Sequence, residues 1–108
     1  MREADPHEAV DYILVNGKRF AKARADRTYI EEYRKSLKAI LMQRSSEKAI
    51  TAQERDAYAH PEYTKLLEGL REAVEIEEKL RWDLIGAQAR VEIYKAQEYT
   101  KRQEMKIM

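Results

Sequence analysis

Five basic side chains lie close together in the stretch GKRFAKARADR, and they form the pattern with the clearest chemistry in this sequence. They are Lys18, Arg19, Lys22, Arg24 and Arg27. Lysine and arginine neutralise backbone phosphates, and the ring of Phe20 could stack on a base. The run therefore indicates nucleic-acid contact as one hypothesis. A solvated or internally paired helix face is the favoured interpretation, because such faces are common and Phe20 also fits an apolar stripe.

The histidines and carboxylates do not form a catalytic or metal-binding pattern. His7 falls in the first turn of a predicted helix, and His60 precedes Pro61, where we expect a capping or loop residue. The stretch EAVEIEEKLRWD groups several carboxylates but lacks the Glu-x-x-His pair of di-metal helical bundles; they are Glu72, Glu75, Glu77, Glu78 and Asp83. We therefore expect no catalytic residue, metal ion or cofactor, and no enzyme.

Composition favours long helices and a cytoplasmic location. Ala, Glu, Lys, Leu and Arg supply 58 of the 108 residues, and Gly and Pro together supply only five. This bias is typical of long or coiled-coil helices. The chain has no cysteine, so it has no disulfide framework. It also lacks a signal-peptide pattern and an apolar run of the roughly 20 residues that cross a bilayer. We expect a soluble protein with no membrane contact.

The first predicted helix spans about residues 6–44. Asp5 is a suitable N-cap, Pro6 suits the first helical position, and Glu8 follows three residues after the cap. Apolar or small residues then recur in steps of mostly three and four; they are Val10, Ile13, Gly17, Phe20, Ala23, Ile30, Tyr33, Leu37 and Ile40. This stripe is weak between Ala23 and Ile30. We expect the helix to continue through Gly17.

A connection over about residues 45–60 and a second long helix over about 61–105 follow. Thr51 and Glu54 form a potential capping box for a short helix, and Pro61 suits the first position of the last helix. The last helix carries a heptad seam with one acidic member: Leu70, Ala73, Glu77, Leu80, Leu84, Ala87, Val91 and Tyr94. The carboxylates around Glu77 are expected to form a solvated acidic face, but Glu77 itself falls on the seam, where pairing with an Arg or Lys across the interface could set helix register or partner choice.

These elements predict a single all-α domain over 1–108, a long antiparallel helical hairpin. Residues 17–44 carry a net charge of +6 and residues 61–83 a net charge of −3, so the two helices are complementary. Apolar residues beyond the seam predict a homo-oligomer, with a dimeric helical bundle favoured. Small residues near these apolar residues would let two helix backbones approach closely. The seven tyrosines are of a type that is common at half-buried and interface positions. The predicted interface residues are Leu67, Val74, Glu77, Trp82, Ile85, Gly86, Ala89 and Ile93.

The stretches AYAHPEYTKLLEGLREAVEIEEKLRW and LIGAQARVEIYKAQE resemble small helical proteins of unassigned function from tailed bacteriophages and prophages, over roughly residues 28–100. The resemblance implies an accessory protein in the host cytoplasm, alongside DNA recombination or replication proteins, and it assigns no residue a role.

Three functions remain open from the sequence. The leading hypothesis is a non-enzymatic, homo-oligomeric protein that binds another protein. The alternative is a phage accessory factor that binds DNA through the five basic residues, with an affinity that falls steeply with salt. A structural or scaffolding component of a phage assembly is the third, and it would associate beyond a dimer.

Overall fold

The computed structural model describes residues 5–107, which form three α-helices: α1 (Pro6–Arg44), α2 (Ile50–Ala59) and α3 (Pro61–Ile107). No β-strand occurs in this part of the chain. α1 and α3 form an antiparallel hairpin, since Arg27 pairs with Glu77 while Arg44 pairs with Glu62. The predicted all-α hairpin is confirmed, and α1 runs without interruption through Gly17.

Local sequence signals define where α1 and α3 begin. The Asp5 carboxylate accepts a hydrogen bond of 2.9 Å from the backbone N–H of His7, so Asp5 caps α1 as predicted. At the start of α3, Nδ1 of His60 accepts a 3.1 Å hydrogen bond from the backbone N–H of Glu62. Pro61 is the first residue of α3. The predicted capping role of His60 is therefore confirmed.

The predicted capping box at Thr51 is wrong. α2 begins at Ile50 after Ala49, which makes no side-chain cap. Glu54 does not turn back to the helix start, because its carboxylate lies 3.4 Å from Nζ of Lys38 on α1. Side-chain hydrogen bonds hold the connection instead. Gln53 Nε2 donates to the Glu47 carbonyl at 2.9 Å, and Ser45 donates to Asp56 at 2.6 Å.

The helices group into two compact units. One consists of the described residues up to Ala21 and from Glu78 onward, and the other is Lys22–Glu77. In the second unit, α2 closes a small core against α1 and α3, formed by Leu37, Leu41, Ala57 and Tyr63 with Met42 and Leu66 against it. In the first unit, Ala9, Asn16 and Ala87 are buried.

Most members of the predicted stripes face inward, with exceptions on both long helices. On α3, every member of the seam is buried or half-buried except Tyr94, which is 40% exposed. A straight helix drifts by roughly 20° per heptad relative to a seven-residue repeat, so the far end of such a seam rotates away from its partner. On α1, Val10, Tyr33 and Ile40 are exposed, and Ala9 is buried in place of its neighbour Val10.

Replacing Gly17 by Ala is expected to raise the free energy of unfolding by about 0.5–1 kcal/mol. Gly17 lies inside a continuous helix, and a Cβ atom placed on it would meet nothing within 4 Å. The substitution therefore adds helix propensity without a clash. Urea denaturation followed by circular dichroism measures the difference, and a less stable variant would show that something packs closely against Gly17.

Candidate interaction surface

The described residues leave an unusual amount of apolar surface open to solvent. Eighteen large hydrophobic side chains are exposed, and no large side chain is completely buried. Exposed apolar surface of this extent is a candidate site for contact with a partner.

Most of the predicted interface residues on α3 lie on the surface. In the unit that contains the chain from Glu78, Trp82 is 61%, Ile85 38% and Ile93 58% exposed. Gly86 and Ala89 between them are also exposed, and a Cβ atom on Gly86 would meet nothing within 4 Å. We call Trp82, Ile85, Gly86, Ala89 and Ile93 the α3 outer stripe.

The remaining predicted interface residues belong to the unit Lys22–Glu77, and they divide into two groups. Leu67 and Val74 are exposed, at 40% and 39%. Glu77 is only 8% exposed. Glu77 lies inside the hairpin of its own chain because it faces Arg27, so it does not share a surface with the other predicted residues.

Arg27 and Glu77 form a bidentate ion pair between α1 and α3. Arg27 Nε lies 2.6 Å from one carboxylate oxygen of Glu77, and Nη2 lies 3.0 Å from the other. Nη1 of Arg27 also lies 2.8 Å from Glu31. These hydrogen bonds, that to Glu77 first and that to Glu31 second, raise the pKa of Arg27 above its ordinary value. The pair joins α1 to α3 within Lys22–Glu77.

The sequence contained a signal for this pair that counting apolar residues missed. Arg27 stands four residues after Ala23 and three before Ile30, where the α1 stripe was weak. A charged residue at that spacing, opposite an acidic residue in the α3 seam, indicates a cross-helix ion pair.

The other four residues of the predicted basic cluster remain accessible. Lys18, Arg19, Lys22 and Arg24 are exposed. Lys22 lies 3.2 Å from Asp26 in a largely solvated pair. Arg27 is held by two carboxylates, so its guanidinium already has partners. Phe20 is half-buried.

Several carboxylates of the acidic run lie at the protein surface. Glu72 and Glu75 are exposed, and Glu78 lies 3.3 Å from Arg81. The pKa of Tyr12 is raised above its ordinary value. Partial burial is the larger cause, and the nearby carboxylate of Asp83 is the second. Over residues 5–107, no group of three or more His, Asp or Glu side chains is placed to hold a metal ion.

An open groove runs between α1 and α3 within Lys22–Glu77. Its volume is about 350 Å³, and mainly apolar residues line it: Tyr29, Ile30, Tyr33, Leu37, Glu62, Lys65, Leu66 and Gly69. The rings of Tyr29 and Tyr33 are nearly parallel, with centroids 6.2 Å apart. Tyr29 is 70% exposed. We call this feature the tyrosine groove.

The contact between α1 and α2 is polar at its edge. Lys38 Nζ lies 4.8 Å from the centre of the Tyr58 ring. Hydrogen bonding to Tyr58, and to a smaller extent to Glu54, raises the pKa of Lys38 despite partial burial. Tyr58 in turn packs edge-on against Tyr63 at 5.2 Å. These contacts fix α2 on the hairpin and leave the tyrosine groove as the open apolar concavity between α1 and α3.

Comparison with protein-family models finds no match. Comparisons with curated proteins and with solved structures find no significant match either. Within the described part of the chain, no helix combines the length and the apolar character that a membrane span requires.

Proposed function

We propose that this chain is a non-enzymatic helical protein that self-associates and acts by binding another protein. One observation carries the proposal: eighteen large hydrophobic side chains are exposed, while no large side chain in residues 5–107 is completely buried. Monomeric soluble proteins rarely leave so much apolar surface uncovered, and a second copy is the partner that is always available.

The α3 outer stripe supports self-association in particular. It combines two exposed β-branched residues and a tryptophan with two small residues on the same helix. Large apolar side chains supply burial, while small residues allow two helix backbones to approach closely. Tryptophan is also enriched among the residues that dominate binding energy at interfaces. We therefore expect α3 of one copy to pack on α3 of a second.

Replacing Ile85 by Glu is expected to weaken self-association by about tenfold or more, since burying a carboxylate in an apolar contact is costly. Analytical ultracentrifugation of the whole chain over a range of concentrations measures the change. Val15→Glu is the matched control, because Val15 is an exposed aliphatic residue of α1, at 56% exposure. It should associate like the unmodified protein.

Two results would contradict the proposal. If the unmodified protein sediments as a monomer at every concentration, self-association is wrong. If it associates but Ile85→Glu and Val15→Glu behave alike, the α3 outer stripe is not the contact. The resemblance to phage proteins and the DNA-binding and scaffolding alternatives remain predictions.

A further inference from the structure

The α3 outer stripe repeats with the spacing of a coiled coil. Four of its members follow one another in steps of four, three and four, and an exposed alanine continues the pattern three residues later: Trp82, Gly86, Ala89, Ile93 and Ala96. Residues at this spacing lie on one face of a helix and form a seam that packs against a second helix. The inner seam occupies the opposite face of α3, where Ala87 is buried. The outer seam is therefore open to a helix of another molecule.

Two charges of opposite sign lie along one edge of this seam. Asp83 and Arg90 are seven residues apart, so they lie on the same edge, and both are exposed. Neither forms an ion pair within the residues that the structure describes. Asp83 lies beside Tyr12, but a carboxylate accepts several hydrogen bonds at once. Both charges can therefore take a partner on another molecule.

The other charged residues beside the stripe do not compete for this pairing. Glu78 lies 3.3 Å from Arg81, and Glu92 lies 3.3 Å from Lys95, each on the same helix. Lys79 is exposed and has no ion pair in the described chain. It lies at the N-terminal end of the stripe, outside the heptad that separates the two charges of the edge.

These charges distinguish the possible arrangements of two α3 helices. In a parallel pair, a residue that precedes a seam position meets the residue five further along the other helix, which sets Asp83 beside Glu78 of the second copy. An antiparallel pair centred between residues 86 and 89 sets Asp83 of each copy opposite Arg90 of the other. Sliding that pair by one heptad in either direction sets Arg90 against Arg90 or Asp83 against Asp83. Only the first antiparallel register joins opposite charges.

We propose that two copies of this chain pair through their α3 outer stripes in an antiparallel, two-fold arrangement, with Asp83 of each copy opposite Arg90 of the other. The axis passes between Gly86 and Ala89. A two-fold contact uses the same patch twice, so each ion pair forms at two symmetric places. The inference rests on the proposed self-association, and it adds the orientation, the register and the residues that fix them.

The apolar residues of the stripe fit the same arrangement. Residues at equal distances from the axis meet, so Trp82 of each copy packs against Ile93 of the other. Gly86 of each copy meets Ala89 of the other at the axis, where two small residues let the backbones approach closely. Each stripe is fully used by one partner, and this contact therefore closes as a dimer.

A charge exchange tests the register. Asp83→Arg sets two arginines opposite one another, and Arg90→Asp sets two aspartates opposite one another. Each variant alone is expected to weaken dimerisation by about tenfold, because like charges then meet at both symmetric places. An equimolar mixture restores opposite charges at both places and should dimerise nearly as tightly as the unmodified protein. Analytical ultracentrifugation of the two variants and of their mixture measures the effect.

Asp11→Arg and Lys18→Asp are the matched controls. These residues are also seven apart and exposed, they form no ion pair in the described chain, and they lie on α1 and not on the α3 outer stripe. Both variants should dimerise like the unmodified protein, and mixing them should change nothing.

Introduced thiols test the orientation independently, since the chain has no cysteine of its own. In the proposed register, residue 79 of one copy lies opposite residue 96 of the other. A mixture of Lys79→Cys and Ala96→Cys should therefore form a disulfide-linked dimer on mild oxidation, as read on a non-reducing gel. Ala96→Cys alone should not, because its two copies lie about 25 Å apart along the helix axis.

Three outcomes overturn the inference. The charge variants dimerise like their controls, their mixture shows no recovery, or Ala96→Cys alone cross-links as well as the mixture does, which is the result for parallel helices. In each of these cases Ile85→Glu still weakens association. If Ile85→Glu has no effect, or the unmodified protein is a monomer, the proposed function fails instead.

Discussion

Replacing Leu41 by Ala is expected to lower the free energy of unfolding by about 2–4 kcal/mol. Leu41 is only 3% exposed and belongs to the small core in which α2 joins α1 and α3. The lost stability has two parts: the removed methyl groups no longer contribute buried apolar surface, and a cavity remains in their place. It is large for this chain because the core cluster holds only four buried residues, Leu41 among them.

Urea denaturation followed by circular dichroism measures this loss. Protein concentration must be the same for each variant, because self-association contributes to the apparent stability. Ile40→Ala is the matched control, since Ile40 is the adjacent residue of α1 and is 37% exposed. It should cost clearly less. Equal losses at both positions would show that Leu41 is not in a closed core.

Replacing Glu77 by Ala is expected to destabilise the chain by about 2 kcal/mol, within the range for a buried hydrogen-bonded charge that loses its partner. The guanidinium of Arg27 would lose both bonds to Glu77 and keep only Glu31. Arg27 is partly exposed to solvent, which limits the loss. Glu75→Ala, at an exposed position of the same helix, should cost much less.

The double variant Arg27→Met with Glu77→Leu separates the net contribution of the pair from the cost of breaking it. Apolar residues of similar size often replace a buried ion pair with little change in stability. We therefore expect stability within about 1 kcal/mol of the unmodified protein. If Glu77→Ala is as mild as Glu75→Ala, or the double variant is less stable than Glu77→Ala, this account of the pair is wrong.

The starts of α1 and α3 were predictable because each depends on a local signal. Asp5 with Pro6, and His60 with Pro61, define helix starts through backbone geometry and capping that act over a few residues. The inner face of α3 was also predictable, since residues such as Leu80 and Leu84 repeat at helical spacing.

Features that depend on which residues meet across the hairpin were not predictable in the same way. Arg27 was grouped with the basic cluster, because its neighbours in sequence are basic while its partner Glu77 is 50 residues away. The start of α2 was misplaced because Glu54 is attracted to Lys38 on another helix. The tyrosine groove needs α1 and α3 in register before Tyr33 and Gly69 become neighbours.

The burial of Ala57 has a consequence for α2. Its side chain has no exposed surface, so the backbone of α2 lies against the core at that residue. If α2 rolled about its own axis, the larger side chain of Asp56 or Tyr58 would have to occupy the buried position of the Ala57 methyl group. The rotational setting of α2, and with it the outward direction of Ile50, is therefore fixed by the smallest side chain in the cluster.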